Sequence, residues 1–116
     1  MKKKIAIGVL ILLVLIQFIP VDTTNPTVDT QKDFIVITKA PQEVAQILKT
    51  SCYDCHANET AYPWYFKVAP VSWWLKNHIN EGRRELNFST WGDYTAKRKD
   101  KKMKESIKMV QEGEMP

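Results

Sequence analysis

The chain has 116 residues, 44% of them hydrophobic and 26% charged, with a formal net charge of +4. This length is enough for one domain and excludes a larger assembly of domains. The charge excludes little, because residues 27–116 carry 14 basic against 12 acidic residues, and a net of +2 does not indicate an acidic or nucleic-acid partner. A domain this small buries a limited core, so a disulfide, metal or cofactor would help to stabilise it.

The N-terminus has the pattern of a targeting or membrane segment. Three lysines precede an apolar run from Ile5 to Ile19, and Pro20 then ends any helix. Fifteen residues make a helix of about 22 Å, shorter than the roughly 30 Å hydrocarbon core, which favours a cleaved signal peptide. No pair of small residues marks a cleavage site, and this favours an uncleaved anchor. We therefore predict an N-terminal membrane helix in residues 1–20, with cleavage as the alternative. The lysines place everything after Pro20 outside the inner membrane, facing the periplasm.

The rest of the chain divides by composition. Residues 21–40 are rich in Thr, Asn, Asp and Pro and are predicted to be a linker, in which Phe34–Thr38 would form a short extended piece. Residues 41–116 are predicted to be one all-α domain. Its first helix follows Pro41, which suits a first helical turn, and leads into the only two cysteines.

Two further helices are predicted from periodicity. One runs from about Pro70 to Leu86, and its apolar face consists of Val71, Trp74, Leu75, His78, Ile79 and Gly82. The other runs from about Asp100 to Glu112, with a stripe of Met103, Ile107 and Val110. Lysines cluster near the start of this helix. Because no groove-reading motif accompanies them, we expect a solvated helix face and no nucleic-acid site.

The chemistry-bearing motif is Cys52-Tyr53-Asp54-Cys55-His56. A helical turn places the two thiols and the imidazole on one side, so that all three can bind the same group. The pattern C-x-x-C-H is that of c-type haem attachment, with two thioether bonds to the haem and an imidazole bond to its iron. In bacteria this attachment takes place outside the cytoplasm, where the N-terminus places the domain. The sequence therefore predicts one covalent haem c bound through Cys52, Cys55 and His56.

Three other interpretations of the cysteines remain open. They could form a local disulfide or a thioredoxin-like redox pair, although the expected βαβ pattern is absent. They could bind zinc with His56 and His78, although the spacing matches no zinc-finger pattern. They could also be buried free thiols, which exported proteins rarely keep reduced.

The stretch from Cys52 to Trp91, CYDCHANETAYPWYFKVAPVSWWLKNHINEGRRELNFSTW, together with the later EGEMP at residues 112–116, resembles a family of small bacterial haem-binding domains related to cytochrome c. The family is typical of exported proteins of the Bacteroidetes type. The resemblance implies an all-α, cytochrome c-like fold, with Cys52 and Cys55 as thioether anchors and His56 as the proximal iron ligand. Family members usually continue past the Met-Pro pair into a further helix, and this chain stops at Pro116.

Two residues compete for the distal side of the iron. Met115, followed by Pro116, resembles the Met-Pro loop that supplies a thioether ligand in many cytochromes c. His78 is the alternative, because it lies on the apolar face of its helix, where an imidazole needs a partner. An open or water-bound iron is the third possibility. On the proximal side, we expect the carbonyl of Pro63 or Pro70 to accept the Nδ1 proton of His56.

These features favour a membrane-tethered electron carrier and not an enzyme, because no catalytic constellation accompanies the haem motif. Its redox partner protein is not specified by the sequence. A haem-based gas or redox sensor is the alternative, in which a labile distal ligand yields to a small gas. A peroxidase is a third hypothesis, but it usually needs a second haem and only one motif exists.

Overall fold

A computed structural model describes all residues from Met1 to Pro116, and every regular element in it is helical. This confirms the prediction of an all-α chain. The six α-helices are α1 (Lys2–Leu15), α2 (Phe34–Thr38), α3 (Gln42–Ser51), α4 (Tyr53–His56), α5 (Val71–Glu85) and α6 (Ala96–Gln111). Single 3₁₀ turns lie at Ile16–Phe18, Thr30–Lys32, Trp64–Lys67 and Phe88–Asp93.

The chain forms two compact units. The first comprises Met1–Thr24 and Tyr62–His78, and the second comprises Asn25–Ala61 and Ile79–Pro116. The boundary between them falls within the sequence of α5. The haem motif predicted above therefore belongs to the second unit, as does most of the predicted domain 41–116.

In the first unit, α1 follows the predicted apolar run but is only 14 residues long. No helix in the structure combines the length and the apolar character needed to span a bilayer. The predicted N-terminal membrane helix is therefore not supported, because 14 residues rise only about 21 Å. The residues after α1 are tied to the loop before α5: the Gln17 amide exchanges two hydrogen bonds with the backbone of Ala69, at 2.9 and 3.0 Å.

The hydrophobic core lies in the second unit. Its buried members come from α2, α4, the end of α5 and the 3₁₀ turn that follows: Phe34, Tyr53, Ala57, Leu86, Phe88 and Trp91. The rings of Tyr53 and Phe88 are stacked with centroids 5.2 Å apart, and Phe34 packs edge-on against both Phe88 and Trp91. Aromatic pairs at these separations add to the burial energy, so the core fixes α2, α4 and the 3₁₀ turn against one another.

The predicted extended piece at Phe34–Thr38 is wrong, because these residues form α2. The carboxylate of Asp33 caps its N-terminus by accepting the Ile35 N–H at 2.9 Å, and Lys39 ends it in the left-handed conformation at φ +50°. With no second strand available, only a helical turn satisfies these backbone groups internally. Because Asp33 and Phe34 are buried, this part of the predicted linker belongs to the core.

The other helix predictions hold, with small changes at their ends. Helix α3 begins at Gln42 after Pro41, and α5 begins one residue after Pro70. Helix α6 begins at Ala96, four residues earlier than predicted, because the Thr95 hydroxyl caps it by accepting the Arg98 N–H.

Candidate functional site

The motif Cys52–His56 forms a single helical turn directly after α3. Cys52 is the junction between α3 and α4, and its carbonyl accepts the His56 N–H at 2.9 Å and the Cys55 N–H at 3.3 Å. Cys52 is half-buried and Cys55 is exposed, and neither is in a disulfide. The local structure therefore has the i, i+3, i+4 arrangement that the motif predicts.

The His56 ring is held by the C-terminal end of α5. Its Nδ1 lies 2.9 Å from the carbonyl oxygen of Gly82 and 3.0 Å from that of Leu86. Both partners are acceptors, so Nδ1 must carry the proton and donate it. The Leu86 carbonyl has no partner within the helix, as is usual at a helix C-terminus, and the imidazole therefore also caps α5. Nε2 is therefore the ring nitrogen left to bind a ligand.

The expectation that Pro63 or Pro70 supplies the carbonyl is therefore wrong. The acceptors lie 26 and 30 residues after His56 in the chain. They are close because the last turn of α5 packs against α4 and because the Gly82 residue allows that approach.

Gly82 is the closest point between α5 and the motif. A Cβ built on it would lie 2.5 Å from the carbonyl oxygen of Cys55 and 3.3 Å from the carbonyl carbon. Contacts below 3.0 Å are essentially never made by real Cβ atoms, and the opposing atoms are backbone, which cannot rotate away. Any side chain at position 82 would therefore push α4 and α5 apart.

Arg83 fixes the loop that follows the motif. Its Nε donates to the Ala57 carbonyl at 2.8 Å, and its Nη2 donates to the Thr60 hydroxyl at 2.9 Å and to the Asn25 side-chain oxygen at 3.0 Å. The Thr60 hydroxyl in turn donates to the Asp54 carbonyl at 2.6 Å. One guanidinium thus connects α5 to both ends of the loop 57–60.

The buried side of the motif is held by Tyr53. Its side chain is 2% exposed, and its hydroxyl donates to the carboxylate of Asp33, 3.0 and 3.1 Å from the two oxygens. Burial, together with the neighbouring Asp33 charge, raises the pKa of Tyr53 far above its usual range, so the phenol stays protonated. The residue next to Cys52 is therefore an anchor between the motif and the Asp33 cap of α2.

Both thiols stay protonated near neutral pH. Burial is the main cause that raises the pKa of Cys52 and of Cys55, and the Asp54 carboxylate adds to it at Cys55.

No group of three or more His, Cys, Asp or Glu side chains is arranged to hold a metal ion. The zinc interpretation of the cysteines therefore gains no support.

A family model described as haem-binding domain matches residues 11–116. The chain belongs to the haem-binding domain family. The match begins inside α1 and includes residues 21–40. The comparison with curated proteins and the comparison with solved structures each return no match.

The motif of this haem-binding domain fits a haem. An iron ligand must be a neutral imidazole with its lone pair on the metal side, and the other ring nitrogen normally donates to a carbonyl. His56 meets the second requirement, because Nδ1 donates to Gly82 and Leu86. The exposed Cys55 thiol and the half-buried Cys52 thiol are accessible to the edge of a porphyrin. Haem bound here would supply redox chemistry at its iron.

The two candidate distal ligands occupy different environments. His78 was predicted to lie on a packed apolar face, but it is exposed, and its ring packs on the exposed Trp74 with centroids 4.6 Å apart. Met115 is 40% exposed and follows a left-handed turn at Gly113, in which the Met115 N–H donates to the Met109 carbonyl at 3.2 Å. The assignment of Met115 as the distal ligand, with His78 as the alternative, stays a prediction.

Sequence reasoning missed the positioning roles of Gly82, Arg83 and Tyr53. The run Gly-Arg-Arg at residues 82–84 offers a signal for the first two, because a glycine inside an otherwise amphipathic helix often marks a close backbone approach. Tyr53 occupies a variable position of C-x-x-C-H, where the motif itself gives no reason to expect a role.

Proposed function

We propose that this haem-binding domain carries one haem c, attached through thioether bonds from Cys52 and Cys55, with His56 as an axial ligand of the iron, and that it transfers electrons. The observation that carries the proposal is the double hydrogen bond from Nδ1 of His56 to Gly82 and Leu86. This arrangement fixes the orientation of the ring and leaves Nε2 as the nitrogen available to a metal, as is usual for a metal-bound imidazole.

The chain's own residues have distinct tasks in this proposal. Each thiol adds its S–H bond across one vinyl group, so both thioethers form without loss of any atom. His56 donates its Nδ1 proton to α5, which fixes the orientation of the ring and makes Nε2 a better donor to the metal. Gly82 and Arg83 hold α4 and the loop 57–60 in place. None of these residues forms a nucleophile–base pair, and we propose no enzymatic reaction.

Covalent attachment in bacteria requires the chain to leave the cytoplasm, so we propose that the domain works on the periplasmic side of the inner membrane. The three N-terminal lysines and the apolar run from Ile5 support a targeting role for this segment. For the distal iron ligand we propose Met115, which lies just after α6, beyond the left-handed turn at Gly113.

The decisive experiment is co-expression with a haem-attachment system, followed by mass spectrometry of the purified full chain. We expect the mass of the mature polypeptide plus one haem, with a Soret band that survives denaturation. The single variants Cys52→Ser and Cys55→Ser should each retain one thioether bond to the haem, and the double variant should lose its haem on denaturation. Arg84→Met, which changes an exposed residue of α5, is the matched control. A colourless wild-type chain of bare polypeptide mass would exclude the proposal.

The same sample separates an electron carrier from a gas sensor. A carrier with two protein ligands should show the same reduced spectrum with and without carbon monoxide. A sensor should bind the gas rapidly, with a shift of the Soret band. The peroxidase hypothesis is tested by turnover of hydrogen peroxide with a dye substrate.

A further inference from the structure

Positive charge is concentrated in α6. This helix holds seven of the 17 basic residues but two of the 13 acidic ones, for a net of +5. The remainder of the chain has ten basic and eleven acidic residues, for a net of −1. The basic character of the protein is therefore a property of one helix.

The charges lie along one side of that helix. At 100° per residue, four lysines fall within an arc of about 60°, over a length of about 16 Å. These residues form what we call the lysine face: Lys97, Lys101, Lys104 and Lys108. Lys101 and Lys104 each pair with an acidic residue one turn away, at 3.8 and 2.9 Å, and such exposed pairs are weak. Lys97 and Lys108 form no ion pair.

An exposed apolar stripe lies on a neighbouring side of α6, with its centre about 120° around the helix from that of the lysine face. The side chains of Met103, Ile107 and Val110 are 39%, 54% and 57% exposed. Periodicity identifies this stripe in the sequence, but the structure turns a different side of α6 inward: the Lys102 side chain is 13% exposed and lies 3.6 Å from Glu85 of α5. The stripe and the lysine face are therefore both directed to solvent on the same helix.

We infer that the lysine face and the stripe of α6 form a docking surface for a partner protein with an acidic, partly apolar surface. An apolar centre beside a charged rim is the usual anatomy of a transient interface. Lysines on the rim attract an acidic partner and accelerate its approach. A lipid surface fits less well, because helices that lie on membranes bury Trp, Phe or Leu, and the stripe has none of these.

The test uses the haem-loaded full chain and a fluorescently labelled peptide in which glutamates alternate with leucines at helical spacing. Anisotropy measures binding at low and high salt. Lys97→Gln/Lys108→Gln should weaken binding about three- to tenfold, as expected for two exposed charge pairs. The matched control is Lys39→Gln/Lys67→Gln, which removes the same charge elsewhere and should change binding less than twofold. Ile107→Ser should also weaken binding, and Val36→Ser, at 55% exposure, should not.

Zero-length cross-linking of the wild-type complex gives a second measurement that needs no variant. Carbodiimide bonds between the peptide glutamates and the protein should map to the lysine face. Equal weakening by both lysine pairs would overturn the inference, as would cross-links spread over all lysines. Tighter α6-dependent binding to phosphatidylglycerol vesicles or duplex DNA would assign the face to a different partner and also overturn it. A changed visible spectrum in Ile107→Ser would show that the stripe covers the haem, which contradicts docking but leaves haem binding intact.

Discussion

Replacing Gly82 by alanine tests the closest contact of the site. The added Cβ would lie 2.5 Å from the Cys55 carbonyl oxygen, and an ordinary contact needs 3.4 Å. The two backbones must therefore separate by about 0.9 Å, and overpacking of this kind costs about 1–3 kcal/mol. Alanine recovers up to about 1 kcal/mol of helix propensity. With the full propensity gain, the expected net loss is up to about 2 kcal/mol, or up to about 15 °C in Tm for a domain of this size.

The same shift acts on the iron ligand, because the Gly82 carbonyl accepts the Nδ1 proton of His56 at 2.9 Å. A displacement of several tenths of an ångström takes this distance to the edge of the hydrogen-bonding range. We expect Gly82→Ala to give a lower yield of attached haem and an altered Soret band. Circular dichroism melting and absorbance measure both effects. Asn80→Ala, at an exposed position of α5, is the control for helix propensity. Equal melting temperatures and equal spectra for the two variants would refute the close-approach argument.

Four further predictions follow from the remaining contacts. Arg83→Met should lower the free energy of unfolding by about 1–3 kcal/mol in urea titration, because it leaves buried partners unsatisfied, whereas Arg84→Met should be neutral. Tyr53→Phe should cost about 1–3 kcal/mol, because the buried Asp33 carboxylate loses the phenol donor and keeps only the Ile35 N–H, and equal stability with the exposed control Tyr65→Phe would contradict this. In the haem-free chain, the pKa of both cysteine thiols is higher in the folded state than in the unfolded state. The free energy of unfolding should therefore be greatest below the ordinary thiol pKa of about 8.5, and it should fall as pH rises through the higher pKa of the folded state. A double Cys→Ser variant should flatten that pH profile, and an unchanged slope would count against it. Met115→Ala should remove the long-wavelength ferric band typical of sulfur ligation. Persistence of that band in the variant would exclude Met115, and its absence from the wild-type chain would favour His78.

Much of the candidate site was predictable because its signals are local. Two thiols and an imidazole within five residues specify one helical turn, and the structure forms that turn. Pro41 and the periodic residues after Pro70 predict α3 and α5 within one or two residues, because capping and periodicity act within a few turns. The prediction of an extended piece at Phe34–Thr38 was wrong because β-branched residues favour strands only where a second strand can pair with them.

From the residues alone one can predict that the chain is helical, that its N-terminus is a short apolar segment, and that Cys52, Cys55 and His56 share one helical turn. The groups that hold His56 became visible only in the folded chain, since its acceptors are backbone carbonyls and every residue has one. The fold also decided which side of α6 faces inward. Periodicity marks an apolar side of a helix, but whether that side is covered depends on long-range packing, and here Lys102 faces inward while the stripe stays exposed.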